Sequence, residues 1–300
     1  MSRTLRVRAP AKINWTLEVL RVRGDGYHEI RSVLQTVDWW DVITLTETES
    51  IELVVTGPAG STLDDNPVES NLAYQAAFAF RDRTGLQRGV RIMLEKHLPV
   101  AAGLGGGSSD GAAVLRGLNL LWDAGEPDEN LVEIAGDIGS DPPFFVVGGT
   151  ASVRGRGDQV DPLRDAVAPP ILLASPRAGE RGDKTARMFR ALSSAFFSDG
   201  EVTLGLHDAV DAGRRLNGEE LNNVFELVLA ETQPDTALAM DALIDQRVMP
   251  HLAGAGPSFF VLLEDDREVP ALSKRIAELG FEARLVHALP REDALAIEEV

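Results

Sequence analysis

The chain contains no cysteine, which excludes disulfides and thiolate-held metals and is in keeping with a cytoplasmic protein. It has no apolar run near the roughly 20 residues that a membrane-spanning helix needs. Its first residues, MSRTLRVRAPAKINW, lack the apolar core of a secretion signal, so no membrane partner is expected. Basic charge is scarce: 29 Lys+Arg stand against 47 Asp+Glu, a net charge of −18. Nucleic-acid-binding domains carry a basic footprint, and this balance argues against one. A small anionic ligand is still allowed, because a local nest of glycine N–H groups and one or two lysines can hold a phosphate whatever the net charge. Internal repeats and low-complexity tracts are also missing. What remains is 300 residues, 44% of them hydrophobic, enough for one large domain or two ordinary ones.

The most informative stretch is PVAAGLGGGSSDGAAVLRGLNLL, Pro99 to Leu121. A glycine-rich loop, Gly103-Leu104-Gly105-Gly106-Gly107, passes through Ser108, Ser109 and Asp110. It then becomes apolar at helical spacing through Ala112, Leu115 and Leu118. Serine or aspartate ahead of such a run marks a helix start. A helix N-terminus offers unpaired N–H groups to a phosphate, and glycine lets the backbone approach it. The pattern is neither the lysine-tipped nucleotide loop nor the dinucleotide fingerprint. An ordinary surface loop ahead of a helix is the plain alternative.

Residues 5–22 read as strands broken at Pro10. Ile13, Trp15, Leu17 and Val19 then alternate toward a core, and Lys12, Asn14, Thr16 and Glu18 face the other way. Lys12 could be a solvated edge residue or look into a cleft. Gly24-Asp25-Gly26 is a turn, followed by Tyr27 and His28, a pair that could simply pack. Residues 42–48 and 51–56 suggest a second hairpin. Ser70 should cap a helix over 71–83, and Val90, Ile92 and Leu94 form a strand that delivers Lys96 to the glycine loop. A helix follows over 129–138. Asp141 precedes Pro142, which biases it toward a turn, and residues 148–158 read as strand–turn–strand. The Asp- and Pro-rich stretch 161–170 is the best boundary, giving units of 1–165 and 166–300. Beyond it come a strand near 171–174, helices over 185–195, 207–215, 221–231 and 236–246, a strand 258–263, a helix 268–279 and a strand 281–286. Gly254-Ala255-Gly256-Pro257-Ser258 is a second glycine-rich turn.

Several of these motifs, in this order, resemble the GHMP kinases, and most closely the branch that acts on a cytidine-diphosphate-linked methylerythritol. The resemblance rests on Pro10–Asn14 (PAKIN), Gly26-Tyr27-His28, Pro99–Ala113 and Gly139–Phe145 (GSDPPFF), and it is loose from 159 to 250. It implies an α/β (α+β) two-lobed fold, with a ribosomal-protein-S5-like first domain and a ferredoxin-like second one. It implies Lys12 and Asp141 as the catalytic pair. For ATP it implies Pro99, Val100, Ala101, Ala102, Gly103, Leu104, Gly105, Gly106, Gly107, Ser108 and Ser109, with Lys96 and Asn71. For the acceptor it implies Asn14, Tyr27, His28, Asp141, Thr185 and Phe189. Mg²⁺ is expected with ATP, with Ser108 or Ser109 as a conceivable ligand. Ser140, Pro142 and Lys184 depart from the family pattern. The implied function is ATP-dependent phosphorylation of the acceptor's 2-hydroxyl, in the non-mevalonate route to isoprenoids, by a monomer or homodimer. A homoserine- or mevalonate-type kinase and a non-enzymatic metabolite-binding relative are the other readings. Retention of both Lys12 and Asp141 argues against the last.

Overall fold

A long antiparallel hairpin is the spine of the molecule. The structure, a computed structural model, describes residues 3–60, 67–176 and 183–300. In the hairpin β1 (Thr4–Val22) pairs with β2 (His28–Thr48) around the turn at Gly24–Gly26. The break expected at Pro10 does not occur. The strand runs through it because Pro10 sits at a bulge, where a missing N–H costs no ladder bond. A second bulge, between Asn14 and Thr16, upsets the expected alternation. Ile13 and Trp15 pack in one buried cluster and Leu17 and Val19 in another, so Lys12, Asn14 and Leu17 share one cavity wall.

The hairpin belongs to an eight-stranded sheet with β3 (Ile51–Thr56), β4 (Gly89–Glu95), β5 (Thr150–Gly155), β6 (Gln159–Pro162), β8 (Asn222–Asn223) and β12 (Ile297–Glu299). Its main path is β12–β1–β2–β4–β3. The expected hairpin of 42–48 with 51–56 is therefore not formed: β4 lies between the two and β3 runs parallel to it. The fully buried Val90, Ile92 and Leu94 claim the central place, and half-exposed β3 takes the edge. Helices α1 (Leu72–Thr84), α2 (Gly106–Leu121), α3 (Asp128–Ile138) and α4 (Pro142–Val147) share a core with this sheet around Val7, Leu45, Phe80, Ile92, Leu115 and Leu118. Asn71, not Ser70, caps α1, its side chain accepting from Ala73 N at 2.9 Å.

The second sheet is antiparallel, with β7 (Ile171–Pro176), β9 (Pro250–Leu252), β10 (Phe259–Leu262) and β11 (Phe281–Val286) in the order β11–β7–β10–β9. Between β7 and β9 come α5 (Lys184–Ala191), α6 (Glu201–Asp211), α7 (Leu229–Thr232) and α8 (Pro234–Ile244); α9 (Val269–Glu278) precedes β11. This is the ferredoxin-like strand order. After α10 (Arg291–Ala294) the chain returns to the first sheet as β12, pairing with Leu5–Val7.

Two glycines test the packing. In α2 a Cβ on Gly117 would lie 3.2 Å from Val7 Cγ2 and closer still to Leu45 Cδ1, whereas Gly205 in α6 has nothing within 4 Å. Crowding of about 1–3 kcal/mol should outweigh the helix-propensity gain at Gly117, so Gly117→Ala should lower Tm. Gly205→Ala should raise stability by about 0.5–1 kcal/mol. A Gly117→Ala protein melting above the parent would contradict the seating of α2 described here.

Candidate active site

Two cavities meet at the glycine loop. One, of about 280 Å³, is lined by Asn71, Lys96, the whole run Pro99–Ser108 and Asp110. The other, of about 670 Å³, is lined by Lys12, Asn14, Tyr27, His28, Asp141, Thr185 and Phe189, among others. Ala101, Gly103 and Gly105 line both. The structure thus gathers all but one of the sequence-derived site residues around two cavities that share part of their lining.

The exception is Ser109. Helix α2 begins at Gly106 rather than after the serines, with left-handed Gly105 (φ 71°) ahead of it. Ser108 and Ser109 therefore lie inside the first turn, about 100° apart. Ser108 faces the cavity; Ser109 is buried, with its hydroxyl unpartnered among the described residues. The first intrahelical bond nearby is Ser109 N to Gly105 O, at 2.9 Å, so the N–H groups of 106–108 have no intrahelical acceptor.

Lys96 also differs in kind from the expectation. It borders the smaller cavity, but its ammonium is held by two buried carboxylates, Asp41 and Asp110, the latter at 2.7 Å. Burial, and then the Asp41 charge, push the Asp110 carboxyl up to about 7 against the pull of Lys96. The Asp110 Oδ1 has no hydrogen-bond partner among the described residues.

In the larger cavity the Lys12 ammonium donates to Asn14 Oδ1 at 2.9 Å, and Asn14 Nδ2 donates to Ser32 Oγ at 2.8 Å. Burial lowers the pKa of Lys12, and the Asp141 charge opposes that. Asp141 is not in a free turn: it is in helical conformation (φ −82°, ψ −28°) immediately ahead of α4, whose first residue is Pro142, the position in a helix where proline is tolerated. His28 stacks on Phe189, centroids 4.8 Å apart, and meets Phe197 edge-on at 6.0 Å. Its partial burial holds the imidazole below its ordinary pKa and so neutral at pH 7, with one ring nitrogen donating and one accepting. Tyr27 is half exposed, with the Arg156 guanidinium 5.6 Å from its ring. Sequence reasoning missed Leu17, Arg156 and Phe225 on this wall. Arg156 lay in a stretch that reads only as a turn, and the other two lay in apolar runs that look like plain core.

Fold and site together define a GHMP kinase. The GHMP kinases N terminal domain model matches residues 71–149. The crystal structure of homoserine kinase from Cytophaga hutchinsonii superposes with a TM-score of 0.74 at 15% identity, covering 99% of this chain and 97% of that one, a likeness of fold alone. Within that class the chain belongs to the 4-diphosphocytidyl-2-C-methyl-D-erythritol kinase family. It is 36% identical to the enzyme of that name from Dehalococcoides mccartyi over 94% of this chain and 97% of that protein. It is also 36% identical to the one from Bacillus subtilis, over 96% and 98%. The crystal structure of a 4-(cytidine 5'-diphospho)-2C-methyl-D-erythritol kinase matches with a TM-score of 0.74 at 29% identity, covering 95% of this chain and 100% of that one.

The Asp110 carboxyl gives a pH test. Its folded pKa, about 7, lies above the unfolded value near 3.9, so the folded state binds the extra proton. Its contribution to stability is therefore fully present below about pH 4 and is lost as pH rises through about 7. Asp110→Asn keeps a polar partner for Lys96 but cannot titrate. The fall in Tm between pH 4 and pH 8 should be shallower in Asp110→Asn than in the parent, and identical slopes would remove Asp110 from the titration.

Proposed function

We propose that this chain transfers the γ-phosphoryl group of ATP to the 2-hydroxyl of 4-diphosphocytidyl-2-C-methyl-D-erythritol, in the non-mevalonate route to isoprenoids, with Lys12 and Asp141 at the reacting atoms. The observation that carries the reading is the meeting of the two cavities at Ala101, Gly103 and Gly105, with Lys12 and Asp141 on the acceptor side of the junction. A phosphate held by the glycine loop then faces an alcohol held by the other wall.

Phosphoryl transfer asks for positioning and charge stabilisation more than covalent chemistry. The N–H groups at the start of α2 and the backbone of the loop would bind the donor phosphates. Asp141 would orient the acceptor hydroxyl and take its proton, which leaves late in a loose transition state, so its weak basicity is no obstacle. Lys12 would offset charge on the moving group, whose approach in turn favours the ammonium form against the effect of burial. His28 and Phe189 would recognise the cytosine, Tyr27 would stack beside it, and Asn14 and Thr185 would hold the rest of the acceptor. Arg156 at the same wall suits the diphosphate. The units 1–165 and 166–300 divide the work: the first supplies the loop and both catalytic groups, the second Thr185 and Phe189.

Mg²⁺ would neutralise phosphate charge when bound. Among the described residues no group of three or more Asp, Glu or His stands close enough to cage a metal. The donor set fits an ion carried mainly by phosphates and water, with the Ser108 hydroxyl at the cavity wall.

Asp141→Asn removes charge and proton acceptor at constant shape. It should lower kcat by about 10²–10⁴ with ATP affinity retained, and Lys12→Ala should act likewise. Steady-state kinetics with calorimetric ATP titration separate the two quantities; near-normal turnover in Asp141→Asn removes it from the mechanism. His28→Ala should raise the acceptor KM and leave the ATP KM nearly unchanged. Efficient turnover of homoserine or mevalonate, with none of the cytidine-linked alcohol, would replace this reading with the other small-molecule kinases.

A further inference from the structure

One side chain of the larger cavity's wall bonds directly to the glycine-rich loop and has no part in the reading above. Lys184 opens α5, the helix whose next residue, Thr185, and Phe189 one turn on line the acceptor cavity. It is buried at 7% exposure. Its ammonium donates to the Ala101 carbonyl at 2.7 Å and to the carbonyl of Gly256 in the second glycine-rich turn. Ala101 borders both cavities and, though not a glycine, holds a φ of +58°. That left-handed conformation costs free energy in an L-residue and persists only where its surroundings impose it. A charge-assisted bond from a buried ammonium to the carbonyl of the same residue is such an imposition. The lysine stem then ties this strained loop residue to the helix that the acceptor must touch.

We propose that Lys184 is a positioning residue, one that locks Ala101 in its ATP-binding conformation and couples that lock to α5, so that acceptor and ATP strengthen each other's binding. The proposal rests on the kinase reading above. Acceptor packing against Thr185 and Phe189 fixes α5, α5 fixes the ammonium, and the ammonium fixes the loop. By linkage the coupling is reciprocal: each ligand lowers the Kd of the other by the same factor.

The test uses Lys184→Met, which keeps the stem and removes the donor, and Ala101→Gly, which accepts the positive φ without strain. Affinity for an ATP analogue whose γ-phosphoryl group cannot be transferred is read by calorimetry with and without the cytidine-linked acceptor, so that neither ligand is consumed. In the parent each ligand should lower the other's Kd by about fivefold or more. Lys184→Met should weaken ATP binding and bring the coupling factor to near one, with the ATP KM rising more than kcat falls. Adding Ala101→Gly to Lys184→Met should recover ATP affinity but not the coupling, because the loop no longer needs the lock and the tie to α5 is still missing. A lysine that merely stabilised the fold would show no such split. Unchanged affinity and coupling in Lys184→Met overturn the proposal, as does a double variant with no recovery of ATP affinity, or a parent with no coupling. Should Lys184→Met not fold, Lys184→Ala, which cannot reach either carbonyl, carries the same test, and unchanged coupling there counts equally against it. The ATP titrations and the Ala101→Gly rescue need no turnover. A parent that binds ATP but never phosphorylates the cytidine-linked alcohol therefore breaks the functional reading and leaves the lock to stand or fall by the rescue.

Discussion

The site depends on backbone packed too closely around Lys12 to admit a Cβ. A side chain at Gly105 would lie 2.7 Å from Phe145 Cζ and 3.1 Å from Lys12 Cγ; at Gly254 it would lie 2.7 Å from the Lys12 ammonium. At Gly103 it would meet the Ala253 carbonyl at 2.6 Å. All three glycines also have positive φ. The glycine-rich loop and the second glycine-rich turn are therefore two sides of one junction, with the lysine between them. Backbone bonds complete it: Lys12 N donates to Leu104 O at 2.9 Å and Ser258 N to Ala102 O at 3.2 Å. A glycine-rich loop that long would be costly to order alone. Here strand β1 and the turn after β9 order it from both sides.

Buried charge fixes the other end of the loop. Lys96, Asp41 and Asp110 are all essentially inaccessible, and Asp41 also accepts from the backbone N of Leu98 at 2.8 Å. Such a group is a weak source of net stability, because desolvation offsets much of the attraction. Losing Lys96 would leave two buried carboxylates facing each other without a counter-charge, so the arrangement is specific even where it is not strongly stabilising. It pins β4, β2 and α2 together where the chain leaves the strand for the loop. That is a reason for a lysine at position 96 independent of nucleotide contact.

Legibility from sequence follows how local the cause is. The β1–β2 turn, β4, α3, β11 and the loop-to-helix site came from patterns within a dozen residues, and the structure has them. The edge position of β3 was hidden because it depends on which strand buries more apolar surface, a competition across the sheet. The bulge at Trp15 was hidden because it is set by pairing with β2, and it split Leu17 and Val19 from Ile13 and Trp15. The start of α2 was misplaced because a left-handed glycine, not a serine, ends the loop. Short β8, β9 and β12 had no readable period. For the site, the motifs were legible and their partners were not: nothing near Lys96 in sequence announces Asp41, and Lys184 looked only like a departure from a family pattern.

On the functional reading proposed above, fold likeness and acceptor choice are carried by different parts of this architecture. The homoserine kinase and the cytidine-linked methylerythritol kinase both superpose at a TM-score of 0.74, although their identities to this chain are 15% and 29%. Backbone shape therefore does not separate the two chemistries. What can separate them is the wall made by the Gly26–His28 turn and α5, which lines the same cavity as Gly103 and Gly105. There His28 lies nearly parallel to Phe189, at 20°, with the edge of Phe197 closing a third side. Those rings fix the orientation of a neutral imidazole, and an oriented donor and acceptor suit the edge of a base. An acceptor without a base would leave them unpaired, a loss worth several powers of ten where a site is built around such bonds. Selectivity of that kind requires the wall to be rigid, and the packing of Phe189 onto buried Phe225, 4.9 Å away, anchors it to a buried cluster that Leu17 and Val19 of β1 share with Val224 and Phe259.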